Sequence, residues 1–426
     1  MTRRRSVSRV VCLASMLLML IGLALISTNA AGGPVEVEFW HYYQDQTTLP
    51  VIEKACAAYN KEHPEVKIKP IFVPTDQIRD RLQAAIMGKN PPAMVVEDIC
   101  RTGLYAATGT LLPLDQYLAA KGVKMEDFYP GLITGARYNG QTVAMPISTN
   151  NLALFYNKNL FKAAGLDPNK PPKTWDDLLR YAKKMTKPDG SVYGFEMYSQ
   201  VDVSGEGLSW NLQPYFWQAG ADFLDPTFTR AAFNNPAGEK ALQFVVDLFQ
   251  KHKVAGLARK DSFGRGEAAM VVNGPWMIGI WKDLEFPIGT AFIPYPKGGK
   301  PATNMGGEQI FLFKTNSAIE QAAADFVIWF TSPEQQLNWS KQTGMLPVRY
   351  SVAQSPKYRA FVENTQPLLL PFIDQQQYAH ARPPIPEYAD CSLAFARVME
   401  KAYYGKITIK QALAEAAQAI DTILKK

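Results

Sequence analysis

Residues 154–185 constrain the chain more than any other stretch. In order they carry an apolar strand ending at Tyr156, a short helix that Asn157 can cap, a stop at Gly165, a proline-rich loop, and a second helix opening at Thr174. An Asn side chain accepts from the free amides of a helix's first turn, and glycine adopts the left-handed conformation that closes the last one. Thr174 followed three residues later by Asp177 completes a capping-box pattern. A strand followed by two capped helices in so short a span is α/β material.

The N-terminal part keeps the same rhythm. Val35, Val37 and Phe39 alternate with Glu36 and Glu38, which predicts a half-buried strand. A helix over about 49–62 follows, then a strand carrying Val66 and Ile68, then a helix over about 77–87. This β-α-β-α order predicts a sheet with helices on its faces. Near the end, residues 408–425 read as a capped amphipathic helix whose Leu413, Ile420, Ile423 and Leu424 share one face. With 426 residues the chain has length for two cores.

The first 30 residues differ from the rest. Arg3, Arg4, Arg5 and Arg9 precede an uncharged apolar run from Val10 to Ile26, followed by Ser-Thr-Asn-Ala-Ala. This predicts a secretory signal cleaved after Ala30, in preference to an uncleaved membrane anchor. Cys12 lies before the core of the apolar run, so it does not mark a lipidation site, and no Phe-Leu-Lys-like sequence supports a twin-arginine export signal. A soluble periplasmic protein is the expectation. Removing residues 1–30 takes four arginines and no acids, leaving 41 Lys and Arg against 39 Asp and Glu. The basic balance is thus partly a property of the signal, and nucleic-acid binding loses its compositional support. No second long apolar run exists for a permease.

Other chemistry is poorly provided for. Histidines stand apart at 41, 63, 252 and 380, so no zinc site is expected, and no cofactor is implied. Export makes a disulfide possible, with Cys56 and Cys100 as the natural pair and Cys391 left over. Gly-x-Ser-x-Gly, His-Glu-x-x-His, the phosphate-binding Gly-x-x-x-x-Gly-Lys-Ser/Thr and the dinucleotide Gly-x-Gly-x-x-Gly after a strand are all missing. An exported glycosidase using two carboxylates, for example Glu97 or Asp98 with Glu308, is the competing enzyme reading.

Several blocks in order resemble the family 1 extracellular solute-binding proteins of ABC importers, which include maltose- and glycerol-3-phosphate-binding proteins. They are residues 35–41 (Val-Glu-Val-Glu-Phe-Trp-His), 91–118, 154–185, Gly266 to Trp276, Gly306-Gly307, Thr331-Ser-Pro-Glu-Gln-Gln and Gly344 to Arg349. The resemblance implies a two-lobed α/β periplasmic binding protein of type II kind, each lobe a mixed β-sheet flanked by helices, with a ligand cleft between lobes. It implies chain crossings near 144–151, 293–305 and 346–351, hence one lobe of 31–145 plus 295–346 and another of 146–294 plus 347–426. It also implies capture of a sugar, or of glycerol-3-phosphate or a glycerophosphodiester, for delivery to ABC permease transmembrane subunits by a monomer without enzymatic activity.

In open α/β sheets ligands sit beyond the carboxyl ends of strands. Trp40, His41 and Tyr42 follow the first strand, and Glu97 and Asp98 follow Met94 to Val96. A sugar needs flat aromatic platforms for its C–H face and carboxylates or amides for its hydroxyls. Trp40, Trp210, Trp217 and Trp276 are the candidate platforms; Glu97, Asp98, Asn150, Asn151 and Glu308 are the candidate polar partners. Trp276 ranks first, because it follows Gly274-Pro275 at a strand end and matches the family's stacking position. Asp98 has the competing role of capping a helix near Arg101, and His41 is expected on the rim. Gln77 joins the ligand-binding set, and Gly306, Gly307 and Arg382 enter it through the resemblance. Segments 152–185 and 387–407 look closest to the glycerol-3-phosphate branch, but Trp276 and the displaced Arg382 favour a neutral mono- or oligosaccharide.

Overall fold

Burial follows the alternation of the first strand: in Val35–His41, Val37, Phe39 and His41 are buried while Glu36 and Glu38 face solvent. The computed structural model describes residues 33–425 apart from 45–47, 199–200, 202–205 and 258–260. The expected signal peptide, residues 1–30, and its cleavage point lie outside the described residues. Val35–His41 runs parallel to Val66–Phe72 on one side and to Met94–Asp98 on the other. Parallel neighbours need crossover connections. Here these are the helices Thr48–Glu62 and Thr75–Met87, which bury Ile52, Cys56 and Tyr59 on one face and Ile78 and Leu82 on the other.

Two further strands complete this first sheet from far along the chain. Glu308–Leu312 pairs antiparallel with Met94–Asp98, and Ala144–Pro146 lies antiparallel at the edge. The second sheet runs Ile288–Ala291, Ala153–Asn157, Met270–Asn273, Phe195–Met197, Ala255–Leu257. Its first two pairings are antiparallel and its last two parallel. Both sheets are therefore mixed, and each has its own buried cluster. Among the described residues no helix is long and apolar enough to cross a membrane.

The local signals around residue 157 act as expected. Asn157 Oδ1 accepts from the amides of Asn159 and Leu160 at 2.9 and 3.1 Å, opening the helix Lys158–Ala163, and Gly165 takes φ +69° after it. Thr174 Oγ1 accepts from the Asp177 amide at 3.1 Å while Asp177 Oδ2 accepts from the Thr174 amide at 3.3 Å, closing the capping box of Trp175–Met185. The last helix, Ile409–Leu424, is boxed by Thr408 and Gln411 and buries Leu413 and Ile420 against the second core, with Ile423 and Leu424 half-buried beside it.

Three passages join the sheets. Residues 147–152 lead from Ala144–Pro146 to Ala153–Asn157, and 292–307 lead back from Ile288–Ala291 to Glu308–Leu312. Beyond Pro333–Thr343, whose Trp339 packs on the first core, Tyr358 and Val362 join Phe155 and Trp281 in a cluster behind the second sheet. The passages are tied together: Thr303–Met305 pairs parallel with Ala379–Ala381, and Asn150 and Gly306 exchange backbone hydrogen bonds of 3.1 and 3.0 Å. Tight backbone crossing here demands glycine. Gly307 has φ +136°, and a Cβ on it would lie 2.2 Å from the Ser148 carbonyl oxygen.

The disulfide expectation is corrected. Cys56, Cys100 and Cys391 are all free thiols. Cys56 faces the first core from its helix, whereas Cys100, in the turn Ile99–Arg101, packs against the second core, so the two belong to different hydrophobic clusters.

Candidate functional site

A cleft of about 920 Å³ opens between the two sheets. From the first lobe come Asp98 and Glu308, which face each other in register across antiparallel strands. Side chains alternate along a strand, so placing Asp98 toward the cleft turns Glu97 to the opposite face. There Glu97 is buried, accepts from Tyr105 Oη at 3.0 Å and lies 3.9 Å from Arg101 Nε. Asn150 comes from the first passage, and Arg382 directly follows Ala379–Ala381, the strand paired with Thr303–Met305. The second lobe contributes Glu196 and Tyr198 at one strand end, Val271 to Asn273 at the next, and Glu206, Gly207, Trp210 and Asn211 from the first turns of the helix Glu206–Ala219.

Trp276 opens the short helix Trp276–Ile280 and is 45% exposed in the cleft. Its indole lies across Gly274, where a Cβ would come within 2.1 Å of the ring. The glycine two residues earlier therefore makes room for the ring. Met277, Ile280 and Trp281 extend this apolar wall, and Trp281 Nε1 donates to Asp261 Oδ1 at 3.0 Å.

Arg382 holds the centre. It is buried, its Nη1 donates to Glu206 Oε1 at 2.9 Å, its Nη2 donates to Asp98 Oδ1, and its guanidinium carbon lies 4.4 Å over the Trp210 ring. Glu206 also accepts from Tyr388 Oη at 3.1 Å and Ser392 Oγ at 2.8 Å. Asp98 serves as a cap too, accepting from the Cys100 amide at 2.8 Å.

Among the described lining residues Arg382 is the only basic side chain, against the carboxylates of Asp98, Glu196, Glu206, Asp261 and Glu308. Burial pushes Glu308 up to about 7, opposed by the Ser148 hydroxyl bonded to it and reinforced by the charge of Asp98. Burial also pushes Glu196 up to about 7, against the pull of the Phe263 amide and with the push of Asp261. In their ionised form such carboxyls accept hydrogen bonds from hydroxyl groups and repel anions, and in their protonated form they donate a hydrogen bond to a hydroxyl oxygen.

The structure thus brings Asp98, Asn150, Trp210, Trp276, Glu308 and Arg382 of the expected set to one cleft. Gly306 lies directly beneath two of them, since a Cβ there would be 2.4 Å from Asn150 Oδ1 and 2.8 Å from the Trp210 ring. Gly307 shapes the crossing beside it.

The other expected residues are not among the described lining residues. Tyr42 is half-buried nearby, its hydroxyl raised by burial first and then by Glu308, Tyr43, Glu97 and Asp98. His41 is in the core rather than on the rim: it is 1% exposed between the rings of Phe39, Tyr43 and Phe72, and burial pushes it down to about 4. Trp40 packs against the cluster that holds Ile78, Leu82 and Val95, whereas its strand neighbour Phe39 lies in the other cluster of the first sheet. Gln77 is exposed and accepts from Arg81. Asn151 is buried, donating to the Phe372 carbonyl at 2.8 Å and accepting from Gln375 at 3.0 Å. Trp217 is buried two turns along from Trp210.

Glu196, Tyr198, Glu206, Asn211, Asp261 and Trp281 were not singled out from sequence. Glu206, at the head of a tryptophan-bearing helix, offered the one usable signal.

Two mixed sheets joined by three passages, with a carboxylate- and indole-lined cleft between them, define a binding protein that engulfs a solute between lobes. The chain belongs to the bacterial extracellular solute-binding protein family, whose sequence pattern matches residues 44–337. Among solved structures, the chain is similar to the cyclic α-maltosyl-1,6-maltose binding protein from Arthrobacter globiformis, with 41% identity over 92% of this chain and 100% of that one and a TM-score of 0.86. Among curated relatives, the sn-glycerol-3-phosphate-binding periplasmic protein UgpB of Pectobacterium atrosepticum is 27% identical over 433 residues, covering 95% of each chain. UgpB from Mycobacterium tuberculosis, solved in complex with glycerophosphocholine, shares the fold at 20% identity with a TM-score of 0.79, covering 92% of this chain and 99% of that one.

Proposed function

We propose that this chain is the extracytoplasmic solute-binding subunit of an ABC importer and that it captures a neutral oligosaccharide of glucosyl units, returning it chemically unchanged to the permease. The observation that carries this reading is the state of Arg382. Its guanidinium is engaged by Asp98 and Glu206 in a cleft whose other described charged lining groups are carboxylates. A phosphate ester would have to displace one of those carboxylates and enter a field of the same sign, whereas a polyol donates its hydroxyls to them. Trp276 and Trp210 offer faces for pyranose rings. The 41% identical relative, named for a cyclic maltosyl-maltose, supports the same ligand class.

The lobes in this reading are 31–145 with 295–346 and 146–294 with 347–426, the mature chain starts near Ala31, and the working form is a monomer. Ligand contacts from both lobes exist together only when they close, so ligand shifts the population toward the closed form. Calorimetry against cyclic α-maltosyl-1,6-maltose, maltotetraose, glycerol-3-phosphate and glycerophosphocholine tests the ligand class. Saturable binding of a glucosyl probe with a smaller radius of gyration by scattering is expected. The second reading, a glycerol phosphate ligand, draws on the relative that is 27% identical over nearly the whole chain. It wins if only the phosphates bind and Arg382→Ala abolishes that binding.

A further inference from the structure

Arg382 begins where the small sheet between the lobes ends, and that sheet is wedged against both sides. Toward the first lobe, Gly103 has the Ile385 and Pro386 backbone 2.3 and 2.6 Å from where its Cβ would be, and Gly131 has Met305 Sδ at 2.5 Å. Toward the second lobe, Asn304 Nδ2 donates to the Trp210 carbonyl at 2.9 Å. The segment carrying Arg382 therefore has little freedom to shift, since close backbone packing leaves no slack for rearrangement.

From this fixed base the guanidinium reaches three groups at once. Asp98 belongs to the first lobe, while Glu206 and Trp210 belong to the second. The Arg382 and Cys100 donors both use Asp98 Oδ1, so Oδ2 accepts no hydrogen bond from the described residues, and the Asp98 side chain is 41% exposed on the cleft. Trp210, by contrast, has one ring face against Arg382 and an edge against Gly306. Arg382 Nε is buried without a partner among the described residues. The geometry of both a ligand acceptor and a stacking surface thus passes through one planar fork, which a flexible point charge cannot reproduce.

We infer that Arg382 is a positioning residue that sets the Asp98 carboxylate of one lobe and the Trp210 ring of the other at the separation a bound oligosaccharide spans. This rests on the carbohydrate reading of the cleft. Affinity then depends on the shape of the fork and not on Arg382's charge acting on the ligand. When the lobes close, Arg382 holds both groups in one arrangement, which removes an ordering cost that the ligand would otherwise bear.

The test is calorimetry on the mature full-length protein with cyclic α-maltosyl-1,6-maltose and maltotetraose, at low and high salt, for wild type, Arg382→Lys, Arg382→Met, Asp98→Asn and the Asp98→Asn/Arg382→Met double variant. The expected result is that Lys and Met each weaken the better neutral probe by about ten-fold or more, that Lys does not rescue, and that wild-type affinity is unchanged by salt. The double variant should bind about as well as the weaker single variant, because both substitutions break one unit. Additive losses, or native affinity in Arg382→Lys, overturn the inference while leaving the carbohydrate reading intact. So does a variant that melts earlier yet binds as wild type well below its melting point. If no neutral probe binds the wild type and glycerol-3-phosphate does, both the carbohydrate reading and the positioning role fall.

Discussion

Trp217 and His380 stack with ring centroids 4.5 Å apart and planes 10° apart, and the Trp217 indole N–H donates to Asp222 Oδ1 at 2.9 Å. Its apolar faces and its one polar atom are satisfied by the protein itself. Trp276 has the opposite character, with nearly half its surface open to the cleft. Trp217→Ala should therefore cost about 3–5 kcal/mol of folding stability, with ligand affinity retained at temperatures where the variant is folded. Trp276→Ala should cost about 1–3 kcal/mol of affinity and leave the melting temperature nearly unchanged. Denaturant melts and calorimetry on both variants check the pair, and exchanged outcomes would swap their roles.

Gly306 offers a sharper steric test. A single methyl placed there meets Asn150 Oδ1 at 2.4 Å and the Trp210 ring at 2.8 Å. Gly306→Ala must push one of them away, and overpacking of this kind costs about 1–3 kcal/mol. Affinity should drop as well, because both neighbours line the cleft. Unchanged binding would mean that neither side chain touches the ligand.

Glu97 makes stability depend on pH. Burial is the largest influence on it and raises its pKa to about 7; Arg101 lowers it, the charge of Asp98 raises it, and the Tyr105 hydrogen bond lowers it. A carboxyl whose folded pKa lies above its unfolded value binds more protons in the native state between the two. Its contribution is therefore favourable below about pH 4.5 and is lost as pH rises through about 7. Glu97→Gln removes the titration, so the loss of stability from pH 5 to 8 should shrink by on the order of 2 kcal/mol relative to wild type. Parallel pH profiles for the two proteins in chemical denaturation would contradict this.

The thiols give a covalent test. Cys56, Cys100 and Cys391 are unbonded, and burial pushes Cys56 and Cys391 up to about 12. Because the thiolate is the reactive species, alkylation of the native protein should be slow at these two positions. Denatured without reductant, the protein should take up alkylating agent at each of Cys56, Cys100 and Cys391. A mass short by two labels would indicate a disulfide.

What the sequence determined by itself lies within a few residues of each signal. Asn157, Gly165 and the Thr174–Asp177 pair act on amides and backbone angles one to three positions away, so their chemistry is complete in the local string. The same is true of Gly274 making room for Trp276. The cleft was legible only in part, because its partners meet through long-range packing. Asp98 and Glu308 are neighbours solely because Glu308–Leu312 returns to the first sheet after the second is built. Arg382 meets Glu206 and Asp98 from 176 and 284 residues away. Trp210 and Trp217 stand two turns apart on one helix, and 3.6-residue periodicity puts them on nearly the same face. Only the tertiary structure separates them: the first two turns of that helix open on the cleft under Arg382, while its last turns are buried and Trp217 is covered by His380, where no solute reaches the ring.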